Sequence, residues 1–214
     1  MDETIEVFKE VATFFITLLN NGKKTMKAHL TPLSYLCAHL SKQYKGSPGF
    51  MVVSYFCGLH ADVGGKDVDA QSMLTSLIGQ ILSEPDMKRY YDPESFDKHI
   101  VKKVKKKDIE SLGKIFRILI DHLRATSMVV FCLIDSISFY EVAGRNKDAQ
   151  TALSILNRIV ASQRGRRRRE SDKMVFKLIV TAGAKSLNAY KCFKPKEVLE
   201  MNESVDGETT LKFN

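Results

Sequence analysis

The run Met128–Asp135, MVVFCLID, constrains the fold of this chain more than any other segment. Seven consecutive apolar residues read as a strand covered on both faces, because a strand with one face in water alternates apolar and polar side chains. Cover on both faces calls for a mainly parallel sheet flanked by helices, with right-handed crossovers joining its strands. The run closes on a carboxylate, Asp135. In open α/β sheets the carboxyl ends of the strands are where ligands gather.

The flanking sequence supplies the expected partners. Ile5, Phe8, Val11, Ala12, Phe15, Ile16 and Leu19 recur at helical spacing over Thr4–Leu19, and Asn20-Asn21-Gly22 stops that helix. Thr31 caps a second helix with Pro32 in its first turn and Leu33, Leu36, Cys37 and Leu40 on one face. Ser47-Pro48-Gly49 turns the chain into a strand over Phe50–Cys57. A Gly-rich loop, Gly58–Asp69, leads to a helix striped by Met73, Leu74, Leu77, Ile78, Ile81 and Leu82. Pro85–Lys107 is polar and loop-rich or only partly helical. Asp108 caps a helix running from Ile109 to Leu123, and Asp148 is placed to cap another bearing Ala152, Leu153, Leu156, Ile159 and Val160. An arginine loop separates that helix from a strand at Val175–Thr181, and Val198–Met201 is a last short strand. This order predicts a three-layer α/β domain over 1–214, divided into an N-terminal helical segment (1–46), an α/β core (47–202) and a tail (203–214).

Four segments in order carry a resemblance: Phe56-Cys57-Gly58-Leu59-His60, LTSLIGQIL from Leu74 to Leu82, FCLIDSISFYE from Phe131 to Glu141, and FKLIVT from Phe176 to Thr181. Together they resemble the part that follows the phosphate loop in fungal NACHT-type (STAND) P-loop NTPase domains, and more closely a group of uncharacterised fungal relatives. The resemblance spans Thr31 to Met201 and rests on order and spacing, no single motif being specific. It implies that the strand ending at Asp135 corresponds to the Walker B strand, whose Asp organises magnesium. It also implies that the strand ending at Thr181 is a sensor strand, with Asp135 and Thr181 on the same rim and Ser136 beside them.

The rest of the nucleotide machinery departs from that pattern. A Walker A loop cradles phosphates with successive backbone N–H groups and one Lys at the start of a helix. The nearest match is Gly22-Lys23-Lys24-Thr25, where Thr17 occupies the first glycine's place and Lys24 that of the hydroxyl. The segment before it reads as a helix rather than a strand. In NACHT-type domains further acids follow the first Asp by three or four residues; here those places hold Ser138 and Phe139, and Glu141 is the next acid. Hydrolysis by water needs a metal site and a positioned base. Asp135 is therefore read either as the remnant of a magnesium site or as a turn former at a strand end.

Other features carry less. Cys57 and His60 have a spacing found within zinc sites, but no second Cys/His pair stands near them. No Ser in the chain sits in the nucleophile-elbow pattern G-x-S-x-G. Cys37, Cys57, Cys132 and Cys192 are widely spaced, three of them inside apolar segments, which favours buried reduced thiols over a disulfide framework. The net charge of +8 invites a nucleic-acid reading, yet ten of the cations lie in Lys102–Lys107 and Arg164–Arg169, and without them the chain stands at −2. Neither run interleaves aromatics for base stacking. No apolar run reaches the roughly 20 residues that span a bilayer, and the acidic start MDETIEVFKE lacks a secretory signal.

These observations lead to the expectation of a non-catalytic regulatory or protein-interaction module, derived from a STAND/NACHT-type NTPase fold that has lost its phosphate loop. It is expected in the cytoplasm, or in the nucleus if a basic run acts as an import signal. No cofactor is expected. Asp135, Ser136 and Thr181 are the candidate ligand-binding residues, with Asp135 the candidate metal ligand. One alternative is a nucleotide-binding NTPase using Gly22, Lys23 and Thr25 with Mg-ATP. Another is an electrostatic binder of nucleic acid or anionic lipid through Lys102–Lys107 and Arg164–Arg169.

Overall fold

The computed structural model describes residues 31–61, 69–85, 87–90, 108–142, 144–165, 173–182, 186–202 and 210–213. Thr4–Leu19, the Gly22–Thr25 loop, Lys102–Lys107 and Arg166–Arg169 lie outside them.

Helix α1, Pro32–Tyr44, begins as the sequence predicts. The Thr31 hydroxyl accepts from Ser34 N–H at 3.1 Å and the Ser34 hydroxyl accepts from Thr31 N–H at 3.1 Å, a reciprocal cap that satisfies two otherwise orphan donors. Gly46 and Gly49 both take positive φ (76° and 79°), which reverses the chain into strand β1, Phe50–Phe56. Helix α2, Cys57–Ala61, follows at once, so the predicted loop from Gly58 starts as a helical turn. The His60 ring lies nearly parallel to that of Tyr55 at 4.4 Å, which packs this turn back on its strand.

Helix α3, Ala70–Ser83, is capped by Asp69, whose carboxylate accepts from Ser72 N–H at 2.6 Å. A single turn, α4 (Met87–Tyr90), falls in the polar segment. Helix α5, Ile109–His122, is capped by Asp108 as expected, and strand β2 is Val129–Asp135. Helix α6, Asn146–Gly165, differs from expectation at both ends. It starts two residues before Asp148, and the Asp148 carboxylate accepts from Gln71 Nε2 at 2.8 Å, tying α6 to α3 instead of capping its own helix. Its other end runs through Arg164, so the arginine segment is not wholly a loop. Strand β3 is Val175–Val180. Leu199–Asn202 (β4) forms a separate antiparallel pair with Thr210–Phe213 (β5), so the expected tail contributes a strand.

β1, β2 and β3 form one parallel sheet with β2 central, Phe56 opposite Asp135 and Ile134 opposite Val180. The protein is thus α/β, with a small three-stranded parallel sheet flanked by helices among the described residues. Successive side chains alternate faces. Val53, Tyr55, Val130, Cys132, Ile134 and Phe176 join Leu77, Phe116 and Leu156 of α3, α5 and α6 in the main core. Val52 and Leu133 turn to the other face and meet Cys37 and Leu40 of α1. Cover on both faces of β2 explains why its sequence is continuously apolar.

Two close approaches finish the packing. Gly113 of α5 lies against Ile155 of α6 so tightly that a Cβ there would sit 2.7 Å from Ile155 Cδ1 and 2.8 Å from its Cγ2. At the sheet edges, the Gln80 amide of α3 accepts from Ser54 N–H and donates to Ser54 C=O, both at 2.9 Å, on the side of β1 that faces away from β2. Gln163 of α6 does the same more simply at β3, accepting from Phe176 N–H at 3.0 Å. No helix among the described residues is long and apolar enough to cross a membrane.

Candidate functional site

Parallel register brings the ends of β2 and β3 together, and with them the three residues singled out in the sequence. Thr181 follows β3 directly, and its N–H donates to Ile134 C=O at 2.9 Å, extending the ladder by one bond. That fixes the Thr181 hydroxyl beside Asp135. It donates to Asp135 Oδ1 at 2.6 Å and accepts from Ser136 N–H at 3.0 Å. The Ser136 hydroxyl donates to Asp135 Oδ2 at 3.0 Å. Asp135, Ser136 and Thr181 are all buried. Each carboxylate oxygen therefore has a hydroxyl donor, which offsets the cost of removing the acid from water.

The turn that makes this possible is strained. Ser136 sits at φ 58° and ψ 46°, the only non-glycine with positive φ among the described residues. Left-handed backbone costs a non-glycine residue about 1–2 kcal/mol. Here the Thr181 hydroxyl and the neighbouring bond from Ile137 N–H to Thr181 C=O, 2.9 Å, hold it in place. The chain then coils through a short 3-10 turn, Ile137–Tyr140, which includes Ser138 and Phe139. Tyr140 is fully buried, and its hydroxyl donates to that of Tyr55 at 2.9 Å. Burial, reinforced by that bond, raises the Tyr140 pKa well above the usual phenol range.

Glu141, the nearest acid after Asp135 in the chain, has a different task. Its carboxylate accepts from the Ser186 hydroxyl (2.7 Å) and from the backbone N–H groups of Leu187 (2.8 Å), Asn188 (2.9 Å) and Ala189. Successive N–H groups converging on one anion form a nest at the start of the 3-10 turn Ala189–Cys192. Burial alone would raise the Glu141 pKa, but the donors outweigh it, Ala189 N–H foremost, and hold the carboxyl below its ordinary value of 4.5. Because the folded-state value is the lower one, this clamp contributes its full stability above pH 4.5 and loses it as pH falls through the folded value. Glu141→Gln is expected to cost about 1 kcal/mol near neutral pH, less than a buried bond to a charge is worth, because the site is half-exposed. Urea titrations across the acid range should show that deficit shrinking as pH falls below 4.5, and a constant difference would contradict the clamp.

Of the cysteine and histidine candidates, Cys57 is buried at the start of α2 and the His60 ring is engaged with Tyr55. Burial, with the negative charge of Asp135 adding to it, pushes the Cys37 thiol up to about 12 and the Cys57 thiol higher still. All four cysteines are free, and Cys37, Cys57 and Cys132 are buried. Among the described residues no three His, Cys, Asp or Glu side chains group as a metal site would require.

The structure thus assembles Asp135, Ser136 and Thr181 and turns Glu141 toward the loop after β3. The roles of Glu141 and of the Tyr55–Tyr140 pair were not anticipated, and nothing local in the sequence marks them, since their partners lie 45 or more residues away. Comparison with protein-family models, with curated proteins and with solved structures finds no match.

Proposed function

We propose that this protein is a non-catalytic regulatory or protein-interaction module, built on a fold of the STAND/NACHT NTPase type in which the magnesium acid has become structural. The observation that carries this reading is the closure of Asp135 on itself. Both of its oxygens are engaged by the hydroxyls of Thr181 and Ser136, and the group is buried. Such a carboxylate fits a tie between two strand ends better than a ligand for magnesium. Glu141, the next acid along the chain, is committed to four donors on another loop.

Titration calorimetry of the whole chain with Mg-ATP and Mg-GTP tests the proposal. No binding below millimolar nucleotide is expected for the wild type. Micromolar affinity, lost in Asp135→Asn, would replace this reading with that of a nucleotide-binding protein.

A further inference from the structure

The geometry points to a docking surface for an acidic, amphipathic segment of a partner protein, centred on Val142, Leu187 and Tyr190. The assignment rests on the interaction-module reading and gives it a place and a chemistry. These three side chains are 49%, 64% and 47% exposed, yet they stand on backbone that is firmly tied. Val142 follows Glu141, whose carboxylate holds the N–H groups of Leu187 and Asn188, and the Ser186 hydroxyl accepts from Tyr190 N–H at 3.2 Å. Ala189, between the two exposed residues, is buried and anchors the turn in the core. Three large apolar groups are thereby held out to solvent on a fixed frame, which reduces the ordering cost of binding.

Charge selects the occupant. Glu141 is turned inward to its four donors, and the Glu197 carboxylate is turned to Lys194 N–H at 3.0 Å. Arg145 N–H donates to Val142 C=O at 3.2 Å, Lys191 adjoins Tyr190 and Lys194 follows three residues on, and the described ion pairs, Arg117–Asp121 and Arg124–Asp121, involve none of them. Lys191 is set in place by a 3.0 Å bond to Asn188 Oδ1 and by the Tyr190 ring, 5.8 Å from its Nζ. A second copy of this chain is a poor occupant, since a two-fold contact would set these cations against one another. An acidic segment with apolar anchors satisfies both parts of the patch.

The probe is a labelled synthetic peptide alternating Glu with Leu and Phe, with a Lys-for-Glu peptide as control, followed by fluorescence anisotropy on the whole chain. The acidic peptide is expected to bind more weakly as salt rises, and the basic one not to bind. Leu187→Ala with Tyr190→Ala should weaken binding about tenfold or more. Lys191→Glu with Lys194→Glu should weaken it similarly and flatten its salt dependence. Leu82→Ala, a comparably exposed residue at the far end of α3, should leave it unchanged. Equal binding of the basic peptide, equal loss in Leu82→Ala, or no binding to the wild type would overturn the assignment. So would preferential binding to phosphatidylserine vesicles, which would identify a membrane surface instead. Each of these leaves the calorimetric result with Mg-nucleotide untouched, so the site and the broader reading fail separately.

Discussion

Asp135→Ala is expected to lower the stability of the fold by about 3 kcal/mol, read as a shift of the urea midpoint at unchanged slope. The substitution removes the acceptor of two hydroxyls inside the protein, from Thr181 at 2.6 Å and Ser136 at 3.0 Å, and leaves both without it. It also frees the left-handed turn at Ser136, whose conformation persists only while its surroundings enforce it. Asp135→Asn keeps the shape and one acceptor oxygen, and its cost should be about half as large. Thr181→Val removes a donor to Asp135 and an acceptor for Ser136 N–H at once. Since these groups form one network, the Asp135→Ala and Thr181→Val losses should be far from additive, and the double mutant should resemble the worse single one. An Asp135→Ala protein as stable as the wild type would show that the acid is not a structural tie. A melting temperature that rises with added magnesium in the wild type, but not in Asp135→Asn, would restore a metal role.

Gly113→Ala is the second large effect, a loss of about 2 kcal/mol although Ala is the better helix former. The gain in helix propensity, about 1 kcal/mol, is outweighed because the new methyl would lie 2.7 and 2.8 Å from Ile155 Cδ1 and Cγ2. Rotation about χ2 of the isoleucine moves Cδ1 alone, and Cγ2 moves only with χ1, which a β-branched residue in a helix holds in one strongly preferred rotamer. The interface of α5 and α6 must then open, and both helices pack on the main core. Ile155→Ala makes room, so the double mutant should recover part of the Gly113→Ala loss despite deleting buried methyls. Thermal denaturation of the four proteins gives the cycle, and strict additivity would mean that the two residues do not oppose one another.

What the sequence discloses here is governed by range. Strand β2 was legible because cover on both faces leaves no polar position to interrupt it. Thr31, Asp69 and Asp108 stand where they cap their helices through bonds spanning three residues. Asp148 stands where a local rule predicts another such cap, yet its partner is Gln71, 77 residues away, and a local rule has no means to weigh that contact. Asp135, Ser136 and Thr181 were singled out together only through the resemblance of ordered segments, which implied a common rim but not that they would bond to one another. Glu141 was visible as an acid without a direction. Its direction is set by a nest of backbone donors, and backbone donors have no signature in side-chain order.

The glutamines at the sheet edges have a consequence for self-association. An incoming strand pairs through the N–H and C=O groups that an edge strand leaves open. On β1 those of Ser54 are already answered by an amide that belongs to α3, and on β3 the N–H of Phe176 by one that belongs to α6. At these positions of the described sheet, pairing by an incoming strand is therefore opposed by helix docking. Any event that lifts α3 from the sheet, whether heat, a distant core mutation or partial unfolding, also uncovers a pairing template. Aggregation should track the opening of that helix before it tracks global unfolding.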